Sequence, residues 1–523
     1  MQADNPISDQ QFTLLSASIF IIAACSLVYE LLISSLSTYL LGSSVIHYSL
    51  TIGLFLFFMG IGSWLAQSIT RHLIGVFITI EIGIGVVGGL SALVLYAVYT
   101  WTDFYYPMML ITTAAIGILV GMEVPLLTRI LESYSGLRKG ISQVLTFDYL
   151  GALLASLLFP FVLLPYLGHL TTASVIGLVN LCIAVIVGWS FRRRLGRLWS
   201  GIVVFAAGSA LLVVTSLLSS GALARVFDNA LYEDPVIHTS QSRYQKIVLT
   251  KRGDDLRLYL DGNLQLSSMD EYRYHETLVH LPARFTRTLK RALVIGGGDG
   301  MAVRELLRYE ALESVTVVDL DSAITEIAST HRELAALNDN ALRDDRVNII
   351  NADAWQWLAD GGDLYELIVV DLPDPENEDV AKLYSVAYYQ RLARRLSAGG
   401  VMITQATSPW FARRAFWSIG TTMEEVFNHV LPATAYIPSF GLWGFFIASD
   451  TPLNTTRNVV EGKYVNEDTW QQRLQLPSDL PRLEVAINRG ETLPLMKYYR
   501  EGWESMNQAF DPAELNRTET VNE

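Results

Sequence analysis

The sequence predicts a multi-pass helical membrane domain of about seven spans, followed by an α/β domain in which a small β-rich part precedes a doubly wound parallel sheet. Three observations carry this reading. The chain of 523 residues is 51% hydrophobic and only 17% charged, whereas an average soluble domain is about a quarter charged. Long apolar runs crowd into residues 1–221, which hold eight Lys/Arg and eight Asp/Glu. The whole formal charge of −14 therefore lies beyond residue 221, where strand-like and helix-like patterns alternate. An acidic soluble half argues against nucleic acid, whose phosphates need Lys and Arg, and suits a cationic substrate. Cys25 and Cys182 both fall in apolar stretches, so neither a disulfide framework nor a zinc cluster is expected.

The apolar runs, near 12–33, 44–66, 73–99, 105–128, 141–164, 170–190 and 198–220, are each about the 20 residues that cross roughly 30 Å of hydrocarbon. Small residues within them, such as Gly85, Gly89, Gly151 and Ala155, suit close helix approach in lipid. The basic residues sit in alternate loops: Arg71; then Arg129, Arg138 and Lys139; then Arg192, Arg193, Arg194 and Arg197. Lys and Arg mark cytoplasmic loops, which with seven spans puts everything after residue 221 outside. Within the spans lie Glu30, His47, Glu81, Glu123 and Asp148. Ionisable groups there are costly and point to function. Glu81, Glu123 and Asp148 are expected near one membrane face, either as a site for a cation or as protonated packing residues, with Arg129 as a partner.

After residue 221, segments 246–250 and 256–260 are β-rich and lead into the turn Asp261-Gly262-Asn263, as in a small antiparallel sheet. Strands are then expected at 292–295, 315–319, 347–350, 367–371 and 401–405, with helices at 302–309, 322–337 and about 384–397. Such alternation implies a parallel sheet with ligands at the strand C-terminal ends. The loop Gly296-Gly297-Gly298-Asp299-Gly300 after the first strand lets a nucleoside cofactor approach the backbone. Asp319 ends the second strand about 20 residues on, where an acid can accept from ribose hydroxyls. Asp353-Ala354 follows the third strand, within reach of an adenine edge, and Asp371 ends the fourth. Trp355 and Trp357 are read as packing.

This constellation resembles the spermidine synthase family of polyamine aminopropyltransferases, in the membrane-bound branch with an N-terminal multi-pass domain. The resemblance rests on Tyr244-Gln245, LDGNLQ at 260–265, DEYRYHE at 270–276, IGGGDG at 295–300 and DLPDP at 371–375. It implies a small β domain before a methyltransferase-type Rossmann-like domain. It also implies decarboxylated S-adenosylmethionine as co-substrate and methylthioadenosine as product, with nothing tightly bound and no metal. By position, Gln245 and His275 match residues that hold the cofactor, as do Gly296 and Gly298 of the loop. Asp299 matches the acid on its aminopropyl amine, Asp319 the ribose acid, and Asp353 with Ala354 the adenine side. Asp371 matches the general base, while Asp374 and Tyr274 place the acceptor amine. The segment 375–383 matches the loop that closes over the site. Three departures stand out: Met301 where the family usually has Gly, Asp319 where it usually has Glu, and the apolar Leu372 and Pro373 where soluble members carry small polar residues.

The expected activity is transfer of the aminopropyl group to a small cationic amine, putrescine giving spermidine. The alternatives are a polyamine transporter or sensor, or a methyltransferase using intact S-adenosylmethionine, against which the acidic set Asp299, Asp371 and Asp374 stands. The expected division is 1–221 for the membrane domain, 222–285 for the small β part, 286–450 for the catalytic domain and 451–523 for a tail. An amphipathic segment near 496–503 in that tail can dock on the catalytic domain or on a second subunit, making a homo-oligomer. The lipid bilayer, a bacterial cell (inner) membrane, is the expected location. A cytosolic co-substrate puts the catalytic domain in the cytoplasm, against the loop charges.

Overall fold

The computed structural model describes residues 8–41, 44–135, 137–458 and 460–509. The expected Arg138 and Lys139 side chains lie outside what it describes. The chain forms two compact units, Met1–Val248 and Leu249–Glu523.

The first unit is built from α1 (Asp9–Leu41), α2 (Ser44–Ala66), α3 (Leu73–Trp101), α4 (Tyr105–Ser135), α5 (Leu137–Leu158), α6 (Leu164–Leu195) and α7 (Leu198–Leu231). Among the described residues, six continuous helical stretches are long and apolar enough to cross a membrane. The count falls one below the expected seven because two runs join in one stretch, 141–195, through a π turn at Phe159–Leu163 and a kink within α6. At 1.5 Å per residue those 55 residues would span about 80 Å, far more than one crossing of roughly 30 Å. The stretch breaks at Gly168, whose φ of 68° and ψ of −180° only glycine adopts readily. Its two arms, α5 and α6, both pack on α1. The α3–α6 crossing is tight: a Cβ on Gly177 would stand 2.6 Å from the Gly85 carbonyl oxygen. Helix α7 continues to Leu231, beyond the apolar run that predicted it.

The strands β1 (Val236–Gln241), β2 (Lys246–Arg252), β3 (Asp255–Leu260) and β4 (Asn263–Ser267) form one sheet in that order. The antiparallel β3–β4 register shifts at Leu258/Tyr259. Helix α8 (Glu271–Ala283) follows. The second unit then runs β5 (Arg291–Gly296), α9 (Met301–Leu307), β6 (Ser314–Asp319), α10 (Ser322–Thr330), α11 (Arg332–Leu337), β7 (Val347–Asn351), α12 (Ala354–Trp357), β8 (Tyr365–Asp371), α13 (Glu378–Ala381), α14 (Val386–Ala393), β9 (Leu396–Gln405), α15 (Arg413–Glu424), β10 (His429–Ile437), β11 (Gly441–Ser449), α16 (Trp470–Arg473) and α17 (Pro494–Ala509).

The sheet order is β10-β11-β9-β8-β5-β6-β7. The five strands expected from sequence are parallel, but the sheet as a whole is mixed: β10 and β11 form a hairpin that pairs antiparallel to β9. The helix expected over 322–337 is two helices, because His331 is extended (φ −72°, ψ 121°) and ends one while starting the next. The central strands are near-continuous Val, Ile and Leu and fully buried, as a parallel sheet covered on both faces requires. Trp355 stacks on Tyr388 at 6.1 Å, beneath the Arg391 guanidinium.

Candidate active site

The site lies at the C-terminal edge of the four adjacent strands β8, β5, β6 and β7. Register brings their ends together, with Gly296 opposite Asp371 and Asp319 opposite Asn351. The glycine loop fits there because it lacks side chains. A Cβ on Gly296 would sit 2.0 Å from the Asp371 carbonyl oxygen, and one on Gly298 only 2.6 Å from Asp319 Oδ2. Instead, the Gly298 amide donates to Asp319 Oδ2 at 3.0 Å, and the Asp321 amide to Oδ1 at 2.8 Å. Burial nevertheless pushes the Asp319 pKa up to about 6. Asp299 accepts from the Met301 amide at 2.8 Å, and Asn338 donates to the Asp299 carbonyl. Asp353 caps α12 by accepting from the Trp355 amide at 2.8 Å, with Ala354 as the first residue of that helix.

Around Asp371 the ionisable groups are coupled. The Tyr274 hydroxyl, from α8, donates to Asp371 Oδ1 at 2.7 Å. Burial pushes the Asp371 pKa up to about 6; His275 pulls it back, Asp299 adds to the rise, and the Tyr274 hydrogen bond lowers it. His275 Nδ1 lies 2.8 Å from Glu271 Oε2, and Arg304 holds both Glu271 oxygens at 3.0 Å. Burial works against charge on His275, but Glu271, Asp299 and Asp371 outweigh it and hold its pKa at about 9. With Nδ1 turned to Glu271, Nε2 is the ring nitrogen left for the site.

Asp374 is three residues past Asp371. Gln405 Nε2 donates to its Oδ1 and the Thr407 hydroxyl to its Oδ2, both at 3.2 Å. Burial pushes the Asp374 pKa up to about 7, against donors Gln405, Tyr499 and Thr407 and with the push of Glu376. The apolar departures act through their backbone: Gln405 donates to the Leu372 carbonyl at 2.8 Å and the Tyr384 hydroxyl to the Pro373 carbonyl at 3.0 Å.

Sequence reasoning missed Gln405, Thr407, Tyr384 and Tyr499. Gln405 ends a predicted strand and was open to notice. Thr407 was not: its φ of 55° is an outlier for a β-branched residue, and such strain gathers at functional sites.

Gln245 lies in the first unit, in a turn where its amide donates to Ser242 Oγ at 3.0 Å and its carbonyl accepts from the Ser242 amide at 2.9 Å. Of the intramembrane set, Asn180 Nδ2 donates to Glu81 Oε2 at 3.1 Å and to the Glu81 carbonyl at 2.9 Å. Glu123 is buried as well. Asp148 is half-buried on α5. The expected partner Arg129 pairs with none of them. Its guanidinium binds the carbonyls of Ala66 and Ile69, where a cation meets the negative end of α2.

Sheet order and a glycine loop facing an acidic strand edge mark the second unit as an α/β transferase of nucleoside-bearing co-substrates. Residues 271–458 match the spermine/spermidine synthase domain. The polyamine aminopropyltransferase of Leptospira interrogans is 40% identical over 94% of this chain and 99% of its own. Polyamine aminopropyltransferase 2 of Ralstonia nicotianae is 42% identical over 94% and 98%, and the polyamine aminopropyltransferase of Oceanobacillus iheyensis 38% over 93% and 96%. A solved spermidine synthase in complex with the transition-state analogue AdoDATO aligns over 47% of this chain and 86% of its own at 23% identity, with a TM-score of 0.43. The chain belongs to the polyamine aminopropyltransferase family and is an aminopropyltransferase.

Proposed function

We propose that the second unit moves the aminopropyl group of decarboxylated S-adenosylmethionine to a diamine, putrescine giving spermidine, with Asp371 as general base. The observation that supports this best is the gathering of Asp299, Asp319, Asp371 and Asp374 along one strand edge around a half-buried, Tyr274-bonded carboxylate. A sulfonium co-substrate with a free amine and an ammonium acceptor is the chemistry such an edge favours. A co-substrate carboxylate beside Asp299 would be repelled, which disfavours intact S-adenosylmethionine.

The acceptor amine, with a pKa of about 10, arrives protonated. Asp371 accepts a hydrogen bond from the ammonium and takes one proton, freeing the nitrogen lone pair. That pair attacks the aminopropyl carbon next to sulfur. The N–C bond forms, the C–S bond breaks and its electrons return to sulfur, leaving neutral methylthioadenosine. The positive charge passes to nitrogen, the product leaves as a secondary ammonium, and the proton on Asp371 goes to water. Asp374 and Tyr274 hold the acceptor. His275 and the glycine loop hold the co-substrate, with Asp299 on its amine, Asp319 on the ribose and Asp353-Ala354 on the adenine side. The first unit spans a lipid bilayer, and the second works in the cytoplasm where its co-substrate is made.

The test is mass spectrometry on detergent-purified protein given decarboxylated S-adenosylmethionine and diamines of increasing length. Methylthioadenosine and an aminopropylated diamine are expected together. Methylated product from intact S-adenosylmethionine would make the unit a methyltransferase instead.

A further inference from the structure

The chain leaves the catalytic sheet by a strained turn. Strand β9 ends at Gln405, which pairs with Phe445 of β11. Two residues on, Thr407 has a φ of 55°, in the left-handed region that a β-branched residue avoids. The pairing nevertheless continues: the Ala406 amide donates to the Gly444 carbonyl and the Gly444 amide to the Thr407 carbonyl, both at 2.8 Å. Glycine would make such a turn without strain, so what Thr407 adds is its side chain. That side chain is fully buried, and its hydroxyl donates to Asp374 Oδ2 at 3.2 Å. The Thr407 backbone acts on the other oxygen, because its amide donates to Gln405 Oε1 at 2.8 Å. A carboxamide has one accepting and one donating end, so this bond turns Gln405 Nε2 the other way. There Nε2 donates to Asp374 Oδ1 at 3.2 Å and to the Leu372 carbonyl at 2.8 Å.

We propose that Thr407 is a positioning residue for the acceptor amine, its hydroxyl holding one Asp374 oxygen and its amide setting the Gln405 side chain that holds the other. This rests on the reading that Asp374 binds the acceptor. The backbone before Asp374 is held already, the Leu372 carbonyl by Gln405 and the Pro373 carbonyl by the Tyr384 hydroxyl. What remains free is rotation of the carboxylate, and donors on both oxygens stop it. A carboxylate has about four acceptor sites, so two donors leave sites open to an ammonium from a set direction. A binding group ordered before its ligand arrives gains affinity, because the ordering is not left to the binding step. The strain at Thr407 is therefore matched by a function at Asp374, as strained residues at ligand sites commonly are.

The experiment compares two variants of the full chain in detergent. Thr407→Val keeps the shape and the branching but has no hydroxyl, whereas Thr407→Ser keeps the hydroxyl and loses a methyl. Thr407→Val is expected to raise the acceptor KM roughly tenfold, the scale of a hydrogen bond to a charged group, with kcat and the co-substrate KM little changed. Thr407→Ser should bring the acceptor KM back toward the wild-type value. A merely structural role predicts the reverse order, with the space-filling Val near wild type and Ser impaired. Should Thr407→Val fail to fold, Thr407→Gly relieves the left-handed strain and carries the same loss of hydroxyl, with the same rise expected. An unchanged acceptor KM in the variant that folds, an equal loss in Thr407→Ser, or a co-substrate KM that rises as much as the acceptor KM would each overturn the inference. An Asp374→Asn enzyme with an unchanged acceptor KM would instead sink the reading of Asp374 on which it rests.

Discussion

Asp371 and Asp374 show at the residue scale why this edge is chemically poised and structurally costly. Each carboxyl sits where burial opposes its charge, near 6 for Asp371 and near 7 for Asp374, well above the ordinary value of about 3.9. A folded-state pKa raised above the unfolded one gives stability that is present below the unfolded value and lost as pH rises through the folded one. Between about pH 4 and 7 the fold therefore loses stability at Asp374. Asp374→Asn should raise the melting temperature at pH 8, by about 2–4 °C for each kcal/mol relieved, and the gain should narrow as pH falls toward 4. An equal gain at all pH values would mean that Asp374 is not the titrating group. That Asp371, Asp374, Tyr274 and His275 meet near the edge was legible from their motifs. That Arg304 braces Glu271 against the His275 ring was not, because the reach from α9 appears only once the helices pack.

Strands were the most legible elements, since unbroken Val/Ile/Leu runs ending in Gly or Asp say both where a buried strand lies and which end carries chemistry. The β10–β11 hairpin was missed because its residues, from His429 to Ser449, carry no alternating pattern strong enough to separate hairpin from loop. The break at His331 was missed because a helical period runs through it. The glycine loop is the element on which the most depends. Its positive-φ residues turn the chain, but Gly298 serves for a different reason, its missing Cβ. Gly298→Ala should leave the fold assembled, since the clash is with the end of the Asp319 side chain, while displacing the acid that would bind ribose. Co-substrate binding measured by calorimetry should fall by at least tenfold with little change in circular dichroism, on the 1–3 kcal/mol scale of a lost buried hydrogen-bond partner. Wild-type binding in this variant would show that Asp319 does not hold the co-substrate.

For the whole molecule, composition separates a neutral apolar half from an acidic one at residue 221, whereas the two compact units of the chain divide after Val248. Composition could not show that two apolar runs fuse through a π turn and break only at Gly168, because helix continuity is decided by a single backbone angle. If both arms of that stretch cross, the termini lie on opposite sides, in agreement with the loop charges and against a cytosolic co-substrate. A Ser505→Cys label, in a chain whose exposed Cys182 is replaced by Ser, should react with an impermeant maleimide only after the cytoplasmic face is opened. Labelling of intact cells would place the second unit outside and require its co-substrate there. The claim that most of the account rests on is that Asp371 takes the proton from the acceptor amine. The most direct measurement is single-turnover formation of methylthioadenosine across pH 5–9 by wild type and Asp371→Asn. Wild type should lose rate below about pH 6 as Asp371 becomes protonated, and Asp371→Asn should be slower by roughly a hundredfold or more with that limb gone. An Asp371→Asn enzyme that keeps both the rate and the acidic limb would contradict the account.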